Sequence, residues 1–300
     1  MTAVLETGVA PARLGVPIPA VTERAAGAFA AEMQRTLVPP LCYRGDCVEA
    51  HGHCIPKDEV GGDLIDVVTD APDVIAYVAD VSGHGLRAGV LMGMIKTAMR
   101  YGLLLRRPLR NLVSDLNRLL PQVKEPSMFA TLAALRFDGS NEVEYISAGH
   151  VPVLHFRKKV NDVISHDAQH FPLGLLAGDA YVSRRICFEA GDIFVLLTDG
   201  VVELGEERDA ETGLEIVAQT LRKFNQHPLA KILEVLRSEI NRLGAQHDDR
   251  TVLLVRVLSG SGRHEQLSLQ RQFHGDTCRD LVEAGWHRIL SALTAGLTDE

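Results

Sequence analysis

Between Val60 and Gly85 the chain reads VGGDLIDVVTDAPDVIAYVADVSGHG, and few folds accommodate such a stretch. Ile65, Val67 and Thr69 alternate with Leu64, Asp66 and Val68, while Val74 to Val81 is nearly all apolar or small, as in a strand buried on both faces. The Asp70-Ala-Pro-Asp73 connection has the residues of a hairpin turn. Pairing these strands carries Asp63 and Asp80 toward one end of a sheet, where two carboxylates repel unless a proton or a cation lies between them. A glycine-rich turn ending at Gly85 then leads into a helix.

Composition limits what such a hairpin can belong to. The 300 residues are 46% hydrophobic and 23% charged, enough for one large domain or two modest ones. A net charge of −8 lacks the basic footprint of a nucleic-acid binder, and no apolar run reaches the ~18 residues of a membrane span. The opening MTAVLETGVAPARLGV has neither a cationic start nor an apolar h-region, so a cytoplasmic location is expected. Cys42, Cys47 and Cys54 lie near His51 and His53 in sequence, but their spacing matches no paired zinc pattern, and reduced thiols are the simpler reading.

In chain order, residues 1–21 read as a flexible leader without periodicity, and residues 22–40 as an N-terminal helix stopped by Pro39 and Pro40. Ala26, Phe29, Ala30, Met33 and Leu37 fall on one face, with Thr22 as N-cap. Such a face packs on the domain that follows, the ordinary outcome, or on a second copy of the chain. Residues 41–258 read as the main domain. A strand is expected at Cys47 to Cys54 and helices at Leu86 to Leu105 and from Leu109 to Leu120, the first with Leu91, Met94, Ile95 and Ala98 as its core stripe. Strands follow at Phe129 to Phe137, Val143 to Ala148, Val151 to Phe156, Tyr181 to Phe188 and Asp192 to Thr198, with a polar loop before Tyr181. A helical section with Leu229, Ile232, Leu233, Leu236, Ile240 and Leu243 on one face precedes a last strand, Val252 to Leu258. Residues 259–300 read as a linker with a strand and helix extension.

Consecutive hairpins imply antiparallel sheets, and acidic residues recur at their ends: Asp63, Asp80, Asp199 and Asp248, with Asp66 and Asp249 beside them. Gathered together, they would make an oxygen-only site suited to Mg²⁺ or Mn²⁺, and a pair of such ions serves phosphoester hydrolysis. Each motif alone is an ordinary turn; their order and spacing carry the signal.

The series Val60-Gly-Gly-Asp63, Asp80-Val-Ser-Gly-His-Gly85, Ala148-Gly-His150, Gly191-Asp192 with Thr198-Asp-Gly-Val-Val-Glu203, and Asp248-Asp-Arg-Thr251 resembles the SpoIIE/RsbU-type branch of the PP2C (PPM) serine/threonine phosphatases. The resemblance covers roughly residues 33 to 258. It implies an α+β fold, a β-sandwich of two antiparallel sheets flanked by α-helices, with a binuclear Mn²⁺ or Mg²⁺ site. It also implies that Asp80 bridges two metals, that Val81 offers its backbone carbonyl, that Asp63 completes one site and that Asp199 and Asp248 hold the other. The implied substrate is a phosphoserine or phosphothreonine protein, commonly a STAS-type anti-sigma-factor antagonist in bacterial partner switching. Where relatives carry aromatic residues after the GGD, Leu64 and Ile65 stand here.

His84 is a candidate proton donor to the leaving oxygen, or else a turn residue holding its loop. His150 is a candidate substrate contact, or else a turn residue. Arg87 and Lys96 could meet phosphate, though a solvated helix face is the simpler reading. The short stretch ahead of Met33 leaves regulation to a partner, to a homodimer through the 22–37 helix, or absent altogether. The tail beyond Gly262 faintly resembles the start of an anti-sigma-factor kinase but stops before any ATP-binding motif, so no kinase activity is expected. Two other readings stay open: a noncatalytic partner-binding module, which loss of an acidic ligand would favour, and a hydrolase of small phosphoesters.

Overall fold

The computed structural model describes residues 23–176, 178, 180–203 and 210–258. All of these described residues belong to one compact unit. The leader, the Thr22 cap and the 259–300 extension lie outside the described residues.

Eleven strands are described, in two antiparallel sheets. One is formed by β1 (Leu41–Arg44), β2 (Val48–Ile55), β11 (Arg250–Val257), β10 (Ile193–Leu197), β7 (Val153–Arg157) and β8 (Asp162–His166), in that spatial order. The other is formed by β3 (Leu64–Asp70), β4 (Asp73–Val81), β5 (Ala130–Phe137), β6 (Glu142–Ala148) and β9 (Arg184–Cys187). α2 (Leu86–Leu104) and α3 (Leu109–Val123) cover the second sheet, while α4 (Asp199–Val202), α5 (Ala210–Phe224) and α6 (Leu229–Leu243) cover the first. The expected two-sheet sandwich flanked by helices is therefore the observed fold.

The period-2 pattern of the central strands explains the layering. Phe194 and Leu196 of β10 point between the sheets, whereas Ile193, Val195 and Leu197 point at the helices. β11 repeats this, with Leu253, Val255 and Val257 inward and Val252 and Leu254 toward the helices. Both faces are buried, so the strands read as continuous apolar runs, and each fully buried large side chain contributes roughly 1.5–3 kcal/mol. β8 was expected as loop; it is an edge strand, half exposed, and its polar sequence carries no buried-strand signal. β9 is shorter than the expected Tyr181 to Phe188 strand.

The helices differ from expectation in two places. On α2 the buried methionines are Met92 and Met99, whereas Met94 is exposed. α1 (Glu23–Leu37) is attached through Gln34 and Val38, both buried, not through its apolar stripe: Phe29, Met33 and Leu37 face solvent. The Gln34 side chain pairs with the backbone of Gly61 in both directions, accepting from its N–H at 2.8 Å and donating to its carbonyl at 3.2 Å. That docks the helix on the loop ahead of Asp63.

Candidate active site

One end of the sandwich gathers the ends of β2, β4, β10 and β11. Asp63 immediately precedes β3 and Asp80 is the penultimate residue of β4, one step beyond the Leu64–Ala79 pair. The two strands thus bring these carboxylates together as their pattern requires. From the other sheet, Leu197 pairs with Val252, and beyond that pair Thr198 donates its N–H to the Thr251 carbonyl at 3.1 Å. Asp199 and Asp248 follow on these two strand ends.

Asp63 is 1% exposed, and it joins the sheets. Its Oδ2 accepts hydrogen bonds from Thr198 Oγ1 at 2.8 Å and Thr251 Oγ1 at 2.6 Å. Asp249 makes the reciprocal connection: its Oδ1 accepts from the Lys57 N–H at 2.8 Å and its Oδ2 from the Gly62 N–H at 2.7 Å. The paired glycines are needed here, because a Cβ on Gly61 would overlap the Asp249 carboxylate and one on Gly62 would press on the Val81 carbonyl. Gly200 has the same constraint, since a Cβ there would overlap the Asp249 carbonyl.

The electrostatics are those of an acidic cluster short of positive charge. Burial, followed by the charges of Asp80 and Asp249, holds Asp63 well above the usual carboxylate range, against the pull of its two threonine partners. Burial, then Asp199, Asp248 and Asp249, pushes Asp80 up to about 7. Asp199 is raised by burial and by Asp248 and Glu203, and the Cys54 thiol is raised by burial and Asp63. Such shifts mark sites where a proton or a cation is favoured. The donors are all hard oxygens, and Asp63 keeps Oδ1 without a hydrogen bond among the described residues, so the set fits Mg²⁺ or Mn²⁺. Among the described residues no three His, Cys, Asp or Glu side chains already stand in ligating geometry.

The remaining candidates fall in different places. His84 is exposed on the rim, its Nδ1 3.4 Å from Asp58. His150 is 5% exposed, with Nδ1 2.7 Å from Thr131 Oγ1. Burial lowers its pKa to about 4, so it is a neutral interior group. Arg87 is exposed and pairs with Glu125 at 3.1 Å. Lys96 is not on a solvated helix face: at 12% exposure it lies 3.3 Å from Asp66, which also accepts two bonds from Arg100 and one from the Tyr77 hydroxyl. Asp66 therefore anchors α2 to β3 and takes no part in the cluster.

The cysteine and histidine group near residue 50 is divided between two faces. Cys42 and His51 face each other across β1 and β2 with Sγ and Nε2 3.5 Å apart. Cys47 and Cys54 pack against the core between the sheets, and His53 turns toward α6. Thr198, Thr251 and Gln34 were missed from sequence. The two threonines flank the acidic motifs directly, and that adjacency is the signal that could have found them.

A family model described as Stage II sporulation protein E (SpoIIE) matches residues 70–258. The phosphoserine phosphatase RsbU of Bacillus subtilis (strain 168) is 27% identical over 238 residues, covering 76% of this chain and 69% of that protein. The solved RsbU and RsbW domains of a Mycobacterium tuberculosis protein superpose with a TM-score of 0.67 at 21% identity, covering 85% of this chain and 71% of that one. The catalytic domain of the serine/threonine phosphatase PstP, solved in complex with two manganese ions, superposes with a TM-score of 0.53 at 17% identity, covering 71% of this chain and 99% of that one.

Proposed function

Because the chain belongs to the SpoIIE family and is a serine/threonine protein phosphatase of the PP2C type, we propose that it dephosphorylates a STAS-type anti-sigma-factor antagonist in a bacterial partner-switching pathway. The observation that carries this reading is the cluster of Asp63, Asp80, Asp199 and Asp248 at one end of the sandwich, with Asp80 pushed up to about 7 by burial and its acidic neighbours. Two Mn²⁺ or Mg²⁺ ions bound there would supply a water nucleophile at neutral pH and neutralise charge on the phosphoryl oxygens.

The chain's own residues would divide the work as follows. Asp80 stands among the others and would be shared by both ions, with the Val81 carbonyl beside it. Asp63, oriented by Thr198 and Thr251, would complete one ion's site through its free Oδ1. Asp199 and Asp248, at the ends of adjoining strands, would hold the other. Asp249 fastens the Gly62 loop and thereby sets the position of Asp63. His84, exposed with its Nδ1 3.4 Å from Asp58, would give a proton to the leaving serine oxygen.

All four acidic positions are filled, which favours catalysis over a noncatalytic binding module. A rate comparison between a phosphoserine STAS protein and small phosphoesters such as nucleotides tests the substrate class. Faster turnover of the phosphoprotein supports the proposal, and preference for nucleotides overturns it.

A second copy of the chain is the partner we propose for α1. Phe29, Met33 and Leu37 on α1 and Leu86, Val90 and Met94 on α2 are exposed, and the two helices touch where Leu37 lies beside Gly93. Sedimentation of the chain and of Met33→Glu tests this: a dimer that the charge dissociates is expected, and a monomer in both refutes it.

A further inference from the structure

Behind the acidic cluster lies a second site with the opposite electrostatic character. A cleft of about 120 Å³ lies between the outer face of β2, the C-terminal half of α6 and the start of β11. Its polar walls are His53, Arg237, Asn241, Gln246 and Arg250, and no acidic side chain among the described residues lines it. In a chain of net charge −8, a concave site with two guanidinium groups and no carboxylate is unusual.

The hydrogen bonds decide which of these groups are available. Arg250 is largely occupied, with four of its five N–H groups used: Nε donates to the Gly200 carbonyl, Nη1 to Asn241 Oδ1, and Nη2 to the Gly244 and Ala245 carbonyls. Gln246 donates to the Ile55 carbonyl at 2.8 Å. Asn241 therefore has its oxygen engaged by Arg250 and its amide nitrogen left over. Arg237 and His53 have no hydrogen-bonded or ion-paired partner among the described residues. They lie close enough for the Arg237 charge to add to burial in lowering the His53 pKa to about 4, so His53 is a neutral imidazole with one N–H to give. The unspent groups are thus mostly donors: a guanidinium fork, an amide and an imidazole. Donors that line one small cleft, one of them a full positive charge, are the groups an oxyanion accepts from.

We propose that this cavity is a binding site for a phosphate-sized oxyanion, separate from the catalytic cluster, held by Arg237 with Asn241 and His53. Its walls are the backs of the loops that carry the acidic residues: Arg250 is two residues past Asp248 and donates to the carbonyl of Gly200, next to Asp199. An oxyanion seated here bridges α6 to β2 and steadies both loops from behind. The inference does not depend on the catalytic assignment, because the site is built from other residues and its test needs no turnover.

The test is thermal unfolding of the full chain in EDTA, titrated with sodium phosphate, sodium sulfate, and sodium chloride at matched ionic strength. Asp80→Asn, Arg237→Gln and Arg237→Lys are run alongside. At about ten times its Kd, an oxyanion that binds only the folded chain raises Tm by about 3–6 °C. Phosphate and sulfate are expected to give this rise in the wild type and in Asp80→Asn, chloride to give none, Arg237→Gln to abolish it and Arg237→Lys to keep part of it. Arg237 is exposed, so its substitution leaves the fold standing. The absence of a rise in the wild type, an equal rise with chloride, or a full rise in Arg237→Gln would overturn the proposal.

Discussion

Replacing Asp80 by asparagine keeps the shape of the side chain and removes one charge from a site where burial and the carboxylates of Asp199, Asp248 and Asp249 raise its pKa from 3.8 to about 7. Between those values the folded chain holds a proton that the unfolded chain has released. Stability therefore falls as pH rises from about 4 to about 7 and stays lowered above that. At about 1.36 kcal/mol per unit of pKa, the gap is worth about 4 kcal/mol. Asp63 and Asp199 are raised by the same repulsion, so relief is shared, and the single substitution releases about 2–4 kcal/mol. For a domain of this size that is a rise of about 4–16 °C in Tm. The assay is thermal unfolding in EDTA at pH 8 and pH 5, with the variant more stable than the wild type at pH 8 and the difference shrinking toward pH 5. Adding Mn²⁺ should then stabilise the wild type and not the variant. An Asp80→Asn protein no more stable than the wild type at pH 8 without metal would refute the reasoning.

Asp66→Asn has the opposite sign. Burial raises the Asp66 pKa, but the Arg100 hydrogen bonds and the Lys96 charge outweigh it and hold the group below 3.8, so its stabilisation is present at neutral pH and lost in acid. Substitution leaves the largely buried Lys96 uncompensated and is expected to cost about 3–5 kcal/mol in urea unfolding at pH 7. Gly200→Ala drives a methyl into the Asp249 carbonyl; a loss of about 1–3 kcal/mol and of turnover is expected, measured by unfolding and by phosphatase assay. His84→Gln separates the two roles open to that residue. A proton donor is expected to lose about 10²-fold on phosphoserine and far less on an aryl phosphate, whose leaving group needs no proton; equal losses on both would mark a loop-holding role.

The sandwich was legible because its central strands are buried on both faces, so Val74 to Val81 and Val252 to Leu258 stand out as apolar runs. Its edges were less so. β1 and β8 are short and half exposed, and solvent removes the compositional bias that marks a buried strand. The acidic positions could be read because each lies at a strand end, with a glycine, a glycine-rich turn or a second aspartate close by in the sequence. What they touch could not: the Asp63 bonds to Thr198 and Thr251 join residues far apart in the chain. Lys96 shows the same limit. Its position on α2 is readable, but whether it meets water, phosphate or Asp66 depends on the sheet beneath it. The apolar stripe on α1 gave the helix but not its docking, in which Gln34 is hydrogen-bonded to the Gly61 backbone.

The central claim is that the carboxylates at the end of the sandwich hold divalent cations that make phosphoester hydrolysis possible. The most direct measurement is hydrolysis of an aryl phosphate by the purified chain with Mn²⁺, with Mg²⁺ and with EDTA, alongside Asp80→Asn. Turnover that requires metal and is lost in the variant, with the variant shown to be folded, is the expected result. Turnover that persists in EDTA, or that Asp80→Asn retains in full, would contradict the account.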